Sequence, residues 1–213
     1  MQEAVHHSLE FSIGSMLKKL NWLAPALSIA LFTGVGSAIV GTTTAQPTFA
    51  QSNAQSKQSI WKTFSPTGGG FSILMPGNPK QISQPLKIQT GDTVELIGYA
   101  TDLGPKQGMY MVTYADMPFA ASKESKLSQQ ALDGAMNAVL GKIQGELVSQ
   151  QSFALKGYPG REATFRMNGN ITGKIRMFLV ENRFYQLLTL TAQEKATAKS
   201  VSGFFNSFKL VNN

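Results

Sequence analysis

Cysteine is absent from all 213 residues. A chain without it builds no disulfide, no thiolate metal site, no thiol nucleophile and no acylated lipoprotein cysteine. Histidine is nearly absent: the two present, His6 and His7, stand at the extreme N-terminus. Beyond them no imidazole can serve as a general base, which excludes Ser-His-Asp chemistry and the usual zinc sites. Charge is sparse, at 15% of residues, and the basic residues neither cluster nor alternate with aromatics. That pattern does not fit a nucleic-acid reader. The stretch "PTGGGF" lacks the Lys-Ser/Thr of a phosphate loop, and no EF-hand-like acidic loop occurs. The acids Asp92, Glu95, Asp102, Asp116, Glu124 and Asp133 are dispersed and fall in no recognisable motif. The sequence thus points to no catalytic residue, no metal ligand and no cofactor. A carboxylate-based hydrolase is the remote alternative, and it needs two acids converging across about 5–10 Å.

Apolar sequence is plentiful, at 42%, and its first concentration lies near the N-terminus. Lys18 and Lys19 precede an apolar run from Leu20 to Val40, and a polar stretch then ends in Thr48-Phe49-Ala50. This order describes a secretory signal peptide over residues 16–50, cleaved after Ala50 or, as second choice, after Ala45. The run also approaches the ~20 residues that span a bilayer, so a retained membrane anchor is the alternative. Gly34, Gly36, Gly41 and the small-residue exit favour cleavage. Residues 1–15 carry Glu3 and Glu10 and no cation, and read as an extension ahead of a start at Met16. Residues 51–59, "QSNAQSKQS", form a flexible leader. Residues 60–213 form one domain, long enough to bury a core. Cleavage removes two lysines and two glutamates, so the net charge stays at +7. That bias favours acidic partners or anionic surfaces.

In the domain, "SIWKTFSP" and "GFSILMP" flank the turn "PTGGG" as two short strands, with "PLKI" as a short edge strand after them. "DTVELIGYATD" alternates, and "MYMVTYADM" is rich in β-branched and aromatic residues; both read as strands. Leu132, Met136, Val139 and Ile143 recur at helical spacing, which predicts a helix over 128–143 with Ser128 as N-cap. "ELVSQQSFAL", "GREATFRM", "ITGKIRMFLV" and "RFYQLLTL" follow as strands. Thr191 and Glu194 then make a Thr-x-x-Glu capping box. The helix behind it carries Ala198, Val201, Phe205 and Phe208 on one face, with Phe204 beside them. The expected fold is α+β: a mostly antiparallel twisted sheet of seven to nine strands with helices packed on it.

Register can be predicted for the hairpin around Asn168. A one-residue slip moves every side chain to the other face. A two-residue loop would set Arg166 against Ile171 and Glu162 against Ile175, mixing polar with apolar. A three-residue loop, Asn168-Gly169-Asn170, pairs Met167 with Ile171, Phe165 with Gly173 and Ala163 with Ile175 on one face. The other face then pairs Arg166 with Thr172, Thr164 with Lys174 and Glu162 with Arg176. This second register sorts the faces. It makes the polar one an outer, solvated ribbon, in which Arg161 and Glu162 fix the hairpin. Arg166, Lys174, Arg176 and Phe178 are the candidate partner-binding residues, a basic strip with an aromatic beside it.

The segments "GYPGREATF", "IRMFLVENRFYQLLTL" and "FFNSFKL" resemble a family of exported bacterial domains of unknown function. Its pattern falls here on Pro159, Gly160, Arg161 and Glu162, then Arg176, then Arg183, Tyr185 and Leu187, then Phe205 and Phe208. Its "F-S-x-x-x-P-x-x-P" opening falls on Phe71, Ser72, Pro76 and Pro79. The order of elements is similar to the PsbP-like sandwich, which includes extrinsic lumenal proteins of photosystem II. These resemblances imply an α+β sandwich in the periplasm or thylakoid lumen, with no established reaction.

The function expected is a non-enzymatic accessory domain that binds a protein or envelope complex, with a photosynthetic membrane complex among the candidates. A carrier of a small apolar or amphipathic ligand, held between the terminal helix and the sheet, is the alternative. If the N-terminal reading is right, the intact mass of the exported protein corresponds to a chain beginning at Gln51. A mass that retains any of residues 1–15 contradicts it.

Overall fold

The structure, a computed structural model, describes residues 59–88, 91–104, 106–120, 126–192 and 194–211. The N-terminal extension, the signal or anchor segment, the leader up to residue 58 and Glu124 lie outside the described residues. Among the described residues no helix is long and apolar enough to cross a membrane.

Strands β1 (Trp61–Phe64) and β2 (Phe71–Pro76) flank the glycine turn. A first meander follows: β3 (Lys80–Lys87), β4 (Thr93–Asp102) and β5 (Met109–Asp116). Helix α1 (Lys126–Ile143) leads to a second meander: β6 (Glu146–Leu155), β7 (Tyr158–Met167), β8 (Ile171–Val180) and β9 (Arg183–Thr191). Helix α2 (Glu194–Ser207) and the two-residue β10 (Lys209–Leu210) close the described chain. The large sheet runs β3-β4-β5-β9-β8-β7-β6, and all its neighbours are antiparallel. The two meanders therefore join through β5 and β9. A small sheet, β1-β2-β10, lies apart from it. This is the α+β sandwich expected from the sequence.

The β7–β8 register is the one that face-sorting selects, with Met167 opposite Ile171, Ala163 opposite Ile175 and Glu162 opposite Arg176. Gly169 and Asn170 supply the positive φ values, 80° and 57°, that let a three-residue loop close this hairpin. Phe165 lies across Gly173, its register partner. An alanine Cβ at 173 would stand 2.1 Å from that ring.

The solvated outer face requires correction, because the large sheet is covered on both sides. Leu132, Met136 and Leu140 of α1 pack on Ala163, Phe165, Ile175, Met177 and Leu188. On the opposite face, Phe204, Phe205 and Phe208 join Phe71, Ile73 and Met75 of β2 over Tyr110, Val112, Phe178 and Leu187. A strand buried on both faces loses its alternation and reads as a continuous apolar run. "MYMVTYA" in β5 and "FYQLLTLT" in β9 are such runs, and every one of their residues is buried. The terminal segment packs with the residues expected of it except Ala198, with Val201 partly buried against the cluster. Phe204 and Phe205 are buried, but Ala198 is exposed, and Phe208 lies just beyond the helix end.

Gly173→Val should force Phe165 out of a site in which it is fully buried. The expected cost is about 1–3 kcal/mol, read as a lower urea midpoint. Gly141→Ala on α1, where a Cβ meets nothing within 4 Å, should instead raise stability by about 0.5–1 kcal/mol.

Candidate functional site

The hairpin face that carries Glu162 also carries Thr164, Lys174 and Arg176. Strand alternation puts all four on the side that α2 covers. Arg176 Nε donates to Glu162 Oε2 at 2.7 Å, and a second guanidinium nitrogen pairs with the same oxygen. Lys174 Nζ lies 2.9 Å from Glu162 Oε1, and Gln151 Nε2 donates to that oxygen at 3.1 Å. Both members of the central pair are buried, Glu162 at 7% exposure and Arg176 at 7%. The Arg176 guanidinium sits 4.4 Å from the centre of the Phe153 ring and 5.3 Å from that of Phe205. It also donates to the Phe205 carbonyl at 3.0 Å. That carbonyl belongs to the last turn of α2, where backbone acceptors lack intrahelical donors and the helix dipole favours a cation. The last turn of α2 carries no basic residue of its own, and β8 supplies the cation instead.

Burial by itself would raise the Glu162 pKa. The hydrogen bonds and charges of Lys174 and Arg176 outweigh it and hold the carboxyl below its ordinary value. Glu162 is therefore ionised at neutral pH and serves as the acceptor that two cations share.

The other motif arginines act in the same way elsewhere. Arg161 points to the opposite face, toward α1. Its Nε lies 2.6 Å from Asp133 Oδ1, and it also donates to Asp133 Oδ2, Gln129 and Ser152. It thereby ties α1 to β6 and β7. Arg183 donates to Asp116 Oδ2 at 2.8 Å and to the Gly68 carbonyl at 2.7 Å. Tyr185 donates to the Gly69 carbonyl at 3.1 Å. These two residues of the "R-x-Y" pattern hold the glycine turn against β9. Other acids are also engaged: Glu95 accepts from Ser83, and Asp102 from the Gly104 amide.

Of the four candidate partner-binding residues, two are not on the surface. Arg176 belongs to the buried cluster. Phe178, at 1% exposure, stacks on Phe208 at 5.6 Å and meets Phe153 edge-on. The sequence could not show that α2 and β2 return to cover this end of the hairpin. Lys174 keeps 31% of its side chain exposed, although Glu162 occupies it. Arg166 is exposed and has no ion-pair partner among the described residues. Arg166 and Lys174 are diagonal cross-strand neighbours on one face.

The space expected for an apolar ligand, between α2 and the sheet, is filled by rings. Phe71 and Phe178 both stack on Phe208, and Tyr110 meets Phe204 edge-on. A polar groove of about 550 Å³ lies instead between α1 and β6, lined by Asp133, Asn137, Gln150, Ser152 and Arg161. Its one carboxylate, Asp133, is taken by Arg161. This arrangement does not supply the two free acids that glycoside-type hydrolysis needs.

No protein-family model and no curated protein matches the sequence. Among solved structures, the chain is similar to the solution structure of cyanobacterial PsbP (CyanoP) from Synechocystis sp. PCC 6803. The identity is 14% and the TM-score 0.48, over 71% of this chain and 93% of that one.

Because Glu162 is lowered in the folded state, its contribution is fully present above the ordinary glutamate range, near pH 4.3. It is lost as pH falls from there through the lowered folded value. Unfolding followed from neutral to acid pH should therefore show a loss of stability confined to the acid side. Glu162→Gln should flatten that part of the profile, and an unchanged acid limb would contradict the assignment. Arg176→Met, which leaves Glu162 and the helix end short of a donor, should cost about 3–5 kcal/mol at neutral pH.

Proposed function

We propose that this chain is an exported, non-enzymatic accessory domain that docks on a protein complex in the periplasm or thylakoid lumen. A photosynthetic membrane complex fits the resemblance of its "GYPGRE" and "RFYQL" segments to exported domains and of its element order to the PsbP-like sandwich. The observation that carries the reading is the contrast among the basic residues of the hairpin. Arg161 and Arg176 are consumed in holding helices to the sheet, whereas Arg166 stands exposed, with no ion-pair partner among the described residues, beside the partly exposed Lys174. A cation left free on a rigid strand fits recognition of an acidic group, and the net charge of +7 assists the encounter. The buried set of Arg176 and Phe178 supports the strip from beneath, fixing the strand that presents Lys174.

The test is binding of the native partner, retrieved from the envelope fraction on immobilised protein, to wild type and to Arg166→Gln/Lys174→Gln. Affinity should fall about tenfold or more, equivalent to about 1.4 kcal/mol, and its dependence on salt should become shallower. Arg166→Gln alone should leave the urea midpoint in place, whereas Lys174→Gln removes one of the two cations on Glu162 and should lower it, with Arg176 and Gln151 still holding the carboxylate. Undiminished affinity in the double variant would show that the strip is not the contact surface.

A further inference from the structure

Among the described residues the large sheet ends in two strands with no partner on their outer side, β3 and β6, and they are built differently. β3 carries Lys80 and Lys87 at its ends and Pro85 within it. Lysine and proline on an edge discourage another strand from pairing there. β6 has neither over 147–155, "LVSQQSFAL", which is a stretch without a charge. Its one irregularity is a bulge between Leu147 and Ser149. From 149 to 155 its pairing with β7 is regular, so its outer side offers a regular row of backbone donors and acceptors.

Three further observations bear on what would pair there. At the bulge, Leu147 and Val148 are 46% and 49% exposed, an apolar step at the start of the edge. The groove between α1 and β6 runs along the same edge, lined by Leu147, Gln150 and Ser152 on the strand side and by Asp133 and Asn137 on the helix side. Alternate side chains of an added strand would enter it. The exposed charges around the edge are mostly positive: Lys142 ahead of the strand, Lys156 in the turn after it, and Arg166 opposite Glu146 in the β6–β7 register. Asp133, the acid in the groove, is already neutralised by Arg161.

We infer that β6 is a docking edge that takes an extended, acidic segment of a partner protein as an eighth strand of the large sheet. The inference rests on the accessory-domain reading and adds the mode of recognition. Backbone pairing along 149–155 supplies the affinity, the groove selects side chains on one face, and Arg166, Lys142 and Lys156 select negative charge.

The test is amide hydrogen exchange of the full domain with a short synthetic peptide that alternates valine and glutamate. Amides within 149–155 should slow on addition of peptide, while those of β3 do not. The double variant Leu147→Glu/Val148→Glu changes only exposed side chains. It should lose the slowing yet keep the protection of β8 and β9 that reports an intact fold. A peptide alternating valine and lysine should give no slowing, and equal slowing would refute the acidic preference. Slowing at β3, or none at β6, overturns the proposal. Protection of β6 that is present without peptide and vanishes on dilution also overturns it, because a second copy would then hold the edge. If the native partner binds through Arg166 and Lys174 without protecting β6, this inference fails while the accessory function stands.

Discussion

A carboxylate and a guanidinium closed off from water between two phenylalanine rings persist only as a pair. Glu162 and Arg176 are both buried, on neighbouring strands, with the guanidinium set between the Phe153 and Phe205 rings beneath the last turn of α2. Stripping water from either group alone costs several kcal/mol, and the partner restores that only when the geometry is good and the remaining valences are filled. Here they are filled: Gln151 and Lys174 complete Glu162, and the Phe205 carbonyl completes Arg176. One cluster thereby fixes the β7–β8 register, the position of β6 and the seat of the terminal helix. A one-residue slip of β8 against β7 would set Glu162 opposite Ile175 or Met177 and break this pair, so the cluster and the sorting of the faces select the same register. Buried polar groups that fix register are costly in stability and specific in structure.

The same economy governs the rest of the motif. Arg161 ties α1 to the opposite face, and Arg183 with Tyr185 clasps the glycine turn. The residues of the Pro-Gly-Arg-Glu and Arg-x-Tyr segments are thus the fasteners of a sandwich, each joining elements that lie apart in the sequence. Among the described residues, the β6–β7–β8 end of the sheet keeps Arg166 exposed and without an ion-pair partner, Lys174 partly exposed, and β6 at the sheet edge. An exposed cation and a sheet edge are features that docking uses.

The hairpin was legible from sequence because its two candidate registers differ in kind. One mixes polar with apolar on each face, and the other separates them, so parity alone decided. The helix was legible because Leu132, Met136 and Ile143 repeat at its period, but it begins at Lys126, so Ser128, expected as its N-cap, lies within its first turn. The covering of the polar face was not legible. Glu162, Thr164, Lys174 and Arg176 look like a solvated row in any local window, and the helix that buries part of that row comes from beyond residue 193. A clue existed in β5 and β9, which carry no charged residue over 109–115 and 184–191 and show no apolar-polar alternation, as strands covered on both sides do. Phe178 is a second clue, since an aromatic on a supposedly wet face has to be buried against something. β10 could not have been found, because two residues hold no period. The free edge at β6 follows only from strand order, which no local pattern encodes.

The most direct test of the account is the thermodynamic coupling between Glu162 and Arg176. A double-mutant cycle combines Glu162→Gln, Arg176→Met and both changes together, each followed by urea unfolding at neutral pH. A pair that is buried, shared and necessary for the terminal helix predicts a coupling of about 1–3 kcal/mol, with the double variant clearly more stable than the sum of the single losses allows. Additive losses, with coupling near zero, would mean that the two groups are independently solvated, and the account of the hairpin as a buried fastener would be wrong.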